Sequence, residues 1–114
     1  LVGRPSPSLV EGLAQGLWET FGNRLDSTLF VATANLCGSP AGRRRLLRHI
    51  LAADWRWLSR ERRKACTCGS GAVAAILALH GRRGGAVTLL RQGCAREGIA
   101  ARRAVHYAAL ALAE

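Results

Sequence analysis

Between residues 39 and 64 the chain sets six large apolar side chains against a row of arginines, at the repeat of an α-helix. Projected at 100° per residue, Leu46, Leu47, Ile50, Leu51, Trp57 and Leu58 gather on one side. Arg44, Arg45, Arg48, Arg56, Arg60, Arg62 and Arg63 occupy the other. A helix separates these two sets, whereas a strand would mix them. Ser39-Pro40 supplies the start: a side-chain acceptor, then a proline whose missing N–H is not needed in a first turn. Asp54 breaks the pattern, because a continuous helix would aim its carboxylate into the apolar side. An unpaired buried carboxylate is costly, so the spacing predicts a break near Ala53, with Asp54 capping a new helix.

Helical periodicity extends over most of the chain. Ser8 and Glu11 have the spacing of a capping box, and Leu9, Leu13, Leu17 and Phe21 follow every fourth residue, widened by Val10 and Trp18. Gly22-Asn23 is expected to stop this helix. Leu25, Leu29, Ala32 and Leu36 share a face and predict a second helix, against the β-branched Thr28, Val31 and Thr33, with Gly38 closing it. Residues 66–71 (CTCGSG) and 81–85 (GRRGG) read as loops, and the apolar residues 72–80 as a helix buried on most sides. Val87, Leu90 and Cys94 predict a helix over 86–96. Ala101, Val105, Ala108 and Leu112 predict another over 99–113, with Gly98 between them. With no period-two run read and no Asn-Gly or Asp-Gly turn, the expected fold is all-α, a single compact bundle of five to seven helices. Residues 1–7 are expected as a short extended lead-in, and 8–114 as one helical domain. Its 49% hydrophobic content suits one core without obligatory disulfides.

Charge is segregated. Nine of the seventeen basic residues lie in residues 43–64, which carry +7 of the net +10, and residues 82–103 carry +5. Sixteen of the seventeen are arginine; GC-rich coding would account for part of that excess and explains the clustering less well. Clustered guanidinium groups suit a polyanion, because they make forked hydrogen bonds to phosphate. The expected binding residues are Arg43, Arg44, Arg45, Arg48, Trp55, Arg56, Arg60, Arg62, Arg63 and Lys64. Arg82, Arg83, Arg102 and Arg103 would join them if the fold brings them alongside. Trp57 falls on the apolar side and is expected in the core; Trp55, at its border, is the better platform for an unpaired base. The expected partner is nucleic acid, RNA or DNA. The alternative is an acidic protein surface met by a helical interaction module or a subunit of a larger assembly. Anionic lipid is a third idea. After Glu97-Gly98, the segment from Ile99 has the layout of a second helix in a helix-turn-helix, which would turn Arg102, Arg103 and His106 to a groove.

Catalysis has no motif here. The seven carboxylates are scattered, and no phosphate loop, nucleophile elbow, His-Glu-x-x-His or dinucleotide fingerprint occurs. A non-enzyme without cofactor or small-molecule substrate is expected. His49, His80 and His106 stand alone in sequence and read as boundary or surface residues. Cys37, Cys66, Cys68 and Cys94 are expected as free, buried thiols. Cys66, Cys68, His80 and Cys94 have the donor types of a zinc site, but Cys-x-Cys departs from the usual pair spacing, so no metal is expected. The longest uncharged stretch, residues 65–81, is interrupted by Thr67, Gly69, Ser70 and Gly71, so no transmembrane segment is expected. A soluble intracellular or intra-organellar protein follows as the expectation. Starting at Leu1 and holding no methionine, the chain reads as a processed product, a non-standard start or a fragment.

Residues 72–98 (AVAAILALHGRRGGAVTLLRQGCAREG) resemble the central helices of caspase-recruitment-type death-fold modules: an apolar helix, a short basic glycine turn, then another apolar helix. Residues 9–30 have the amphipathic entry helix of such a six-helix bundle. The resemblance implies an adaptor that associates with similar domains through charged patches.

Overall fold

The computed structural model describes residues 6–34, 39–60, 70–96 and 104–113, and for residues 95–96, 104–107 and 113 the backbone alone. Helix α1 (Pro7–Phe21) is capped by Ser6 rather than Ser8: the Ser6 hydroxyl accepts the Leu9 N–H at 3.2 Å, and Pro7 opens the first turn. The helix therefore includes a residue assigned to the lead-in. Its buried residues are Val10 and Ala14, with Leu17 and Trp18 half-buried beside them, whereas Leu9 and Leu13 are exposed. The helix is thus turned by roughly one residue from its expected stripe. It packs on α4 (Ser70–Arg83), whose buried residues are mainly small: Gly71, Ala74, Ala75 and Ala78. Small side chains let two helices approach closely, and Val10 and Ala14 suit that spacing better than leucine.

After α1 the chain makes a 3-10 helix (Gly22–Ser27) and then runs without regular structure through residues 28–34. The helix expected over 25–36 does not form in the described residues. The hydroxyls of Ser27 and Thr28 turn back to the Arg24 carbonyl at 3.2 and 2.6 Å, and Val31 and Thr33 are β-branched. Leu25 is buried, and Phe30 packs on the core, its ring edge-on to Phe21 at 5.5 Å.

Helix α2 (Pro40–Leu51) starts as the sequence predicts, with the Ser39 hydroxyl accepting the Gly42 N–H at 3.0 Å. It ends at Ala52–Ala53, where Ala53 takes a left-handed φ of 55°, and α3 (Trp55–Arg60) begins. The expected break is present. Leu46, Leu47, Ile50 and Leu58 are buried, while Leu51 is exposed. Helix α4 runs through the first three residues of the loop expected over 81–85 and stops at Gly84 and Gly85, both at positive φ, where the Gly84 N–H reaches the His80 carbonyl at 3.1 Å.

The C-terminal quarter overturns the all-α bundle. Residues expected as two helices form an antiparallel hairpin of β1 (Ala86–Arg96) and β2 (Ala104–Ala113). The described residues hold four α-helices and this two-stranded sheet, not five to seven helices. Val87 faces Leu112 and Leu89 faces Leu110 across the ladder, so four aliphatic side chains share one side, with Val87, Leu110 and Leu112 against the core. Leu90 is an extra residue in β1, left without a partner where the register shifts between Leu89 and Arg91. Val87/Leu89 and Leu110/Leu112 do alternate with period two. The alternation is masked because alanine at 108, 109, 111 and 113 surrounds Leu110 and Leu112 and satisfies a helical stripe equally well. The death-fold resemblance loses its fold for the same reason, since a strand stands where its next helix would be.

Candidate nucleic-acid interface

Asp54 organises the turn between the two basic helices. Its Oδ1 accepts the Trp57 N–H at 3.1 Å, capping α3, and its Oδ2 accepts from His49 Nδ1 at 3.0 Å, tying the cap to the last turn of α2. The His49 ring stacks on Trp57 with centroids 3.8 Å apart and planes 2° from parallel. One carboxylate, one imidazole and one indole therefore fix the α2–α3 angle. Sequence reading took His49 as isolated; its partner lies five residues on, across a break that places them together.

The basic residues divide by what surrounds them. Arg44, Arg45 and Arg48 are exposed on α2, within roughly a 100° arc opposite the buried side at 3.6 residues per turn. Arg56 and Arg60, one turn apart, are exposed on α3 opposite Leu58. None of these five meets a carboxylate among the described residues. Arg43 is half-buried. Arg45 Cζ lies 5.5 Å from the Trp57 ring centre, and Arg56 Cζ lies 4.5 Å from that of Trp55. Both tryptophans are half-buried against the core, so Trp57 is less enclosed than expected and Trp55 is no free-standing platform.

Arg82 and Arg83 part company. Arg83 turns to Asp26 Oδ1 at 2.7 Å. Arg82 donates to Gln15 Oε1 and lines a cleft of about 340 Å³ together with Trp55 and Arg56, so the second basic segment does reach the first at this point. Glu11, Ala14, Ala78 and Gly81 complete the cleft. None of these four was read from the sequence as a binding residue: Glu11 was expected in a capping box and Gly81 in a loop. Arg62, Arg63, Lys64, Arg102 and Arg103 lie outside the described residues, as do Cys37, Cys66, Cys68 and the connection carrying the helix-turn-helix expectation. His106 sits in β2 opposite Cys94, not on a recognition helix.

Cys94 is free but exposed, contrary to the expected buried thiol. His80 is buried in α4 rather than at a boundary, and its Nε2 has no partner among the described residues. Among the described residues no three His, Cys, Asp or Glu side chains converge on a metal position, and no helix is long and apolar enough to cross a membrane. No protein-family model, curated protein or solved structure matches the chain.

Proposed function

We propose that this is a small, basic, non-enzymatic protein that binds nucleic acid through the phosphate backbone, using α2 and α3. The observation that carries this reading is the set Arg44, Arg45, Arg48, Arg56 and Arg60, exposed on two helices and free of carboxylate partners among the described residues. Guanidinium groups already neutralised within the fold would have little to offer a phosphate; these keep their donors. Asp54, the acidic residue of this segment among those described, is engaged by the turn and by His49. Phosphate contacts supply affinity with little sequence reading.

The test is the triple charge reversal Arg44→Glu, Arg45→Glu and Arg48→Glu. All three sites are exposed, so helicity by circular dichroism is expected to persist. Affinity for an oligonucleotide at low salt should fall by roughly two orders of magnitude or more. Undiminished binding removes the reading.

A second reading, a protein partner in place of nucleic acid, draws on a separate feature. Leu29 and Val31 are 86% and 73% exposed beside an apolar groove lined by Ile76, Leu110 and Leu112. Capture of partners with and without nuclease separates the two: loss after nuclease favours nucleic acid, persistence favours protein.

A further inference from the structure

We infer that the cleft between α1, α3 and α4 is a subsite for one unpaired nucleotide whose base carries an exocyclic amino group. The inference rests on the nucleic-acid reading above and makes it more specific. The cleft has the parts such a subsite needs. Its floor is small, formed by Ala14, Ala78 and Gly81, and a Cβ added at Gly81 would meet nothing within 4 Å, so the space above it is open. One wall is the Trp55 indole with the Arg56 guanidinium lying over it at 4.5 Å. A flat cationic surface of this kind stacks any base, and a base reaches it only when released from a duplex. Arg82 stands at the rim. Gln15 holds it and is held in turn by its own hydrogen bond to Glu19 at 2.6 Å, leaving further guanidinium donors for the nucleotide's phosphate.

Glu11 decides which base. Its carboxylate repels phosphate, so a nucleotide enters with its backbone toward Arg82 and its base edge toward Glu11. The edge must then donate. Cytosine, adenine and guanine present amino groups that a carboxylate accepts from, whereas thymine and uracil present an imide N–H flanked by two carbonyl oxygens that face the carboxylate unfavourably. Single strands with amino-bearing bases are therefore preferred over thymine or uracil runs, and over duplex.

The test uses the full chain, labelled oligo(dC) and oligo(dT) of about twelve nucleotides, and a duplex of equal length, read by anisotropy. Oligo(dC) is expected to bind about tenfold tighter than oligo(dT), the size of one good base contact. Glu11→Gln should remove that difference while leaving oligo(dT) binding in place. Gly81→Leu, which fills the cleft at a position with open space and a better helix former, should bring oligo(dC) down to the oligo(dT) level with unchanged helicity. Arg82→Gln, at an exposed site, should weaken both strands and serves where the leucine variant does not fold. Equal binding of oligo(dC) and oligo(dT) by the unaltered chain, or a Gly81→Leu variant that keeps its preference, overturns the subsite while phosphate binding stands. Absence of binding to every strand and to duplex at low salt overturns both readings together.

Discussion

Ten buried residues knit α1, α2, α3 and α4 together, whereas no described side chain of β1 or β2 is buried. Helix α4 packs against α1 and α3, and α2 packs against α3. The hairpin lays Val87, Leu110 and Leu112 on that core and leaves its other side to solvent. An isolated two-stranded ribbon is marginal in water, so the hairpin borrows its stability from the helices, which need little from it in return. The exposed arginines of α2 and α3 stand on the helical part. A surface that presents charge must hold it still, and α2 and α3 do so by a buried aliphatic side and a capped turn.

The largest effect that can break this contrast is truncation in the helical core. Leu58→Ala and Leu77→Ala, at 2% and 1% exposure, should each cost about 3 kcal/mol by urea denaturation. Leu112→Ala, half-buried in the hairpin, should cost about 1 kcal/mol. Equal losses would mean that the hairpin is integral to the core. Next comes the turn: Asp54→Ala removes both the α3 cap and the His49 bond and should cost about 1–2 kcal/mol, with weaker oligonucleotide binding because the α2–α3 angle is freed. Native-state hydrogen exchange sharpens the same comparison, since β1 and β2 amides should open well before those of α4. Uniform protection would deny that the two regions differ. The smallest effect belongs to the Arg83–Asp26 pair. Asp26 is 91% exposed, so Asp26→Ala should change stability by less than about 0.5 kcal/mol.

The same division separates what the sequence discloses from what it conceals. In α2 and α3, large aliphatic residues and arginines differ so sharply that their spacing declares the helix, its start at Ser39-Pro40 and its break before Asp54. In the hairpin the contrast vanishes. Alanine at positions 108, 109, 111 and 113 fits a helix stripe and a strand face alike, and Leu90, extra at the bulge, breaks the alternation of β1 at its centre. The α1 stripe misled for a packing reason, because Ala14 is buried for its smallness while the larger Leu13 stays outside. Exposed arginines on 44, 45, 48, 56 and 60 were legible from periodicity. The approach of Arg82 to Trp55 and Arg56 was not, since it depends on how α4 lies across α3, which no local pattern encodes.

The most direct test of phosphate binding by α2 and α3 is the salt dependence of single-strand affinity, compared between the unaltered chain and Arg48→Ala. The five guanidinium groups of α2 and α3 predict a log–log slope of about −3.5, to which a phosphate contact from Arg82 adds about −0.7, and loss of Arg48 should make it shallower by about 0.7. A slope near zero, or one indifferent to Arg48, would contradict the assignment of this surface to nucleic acid.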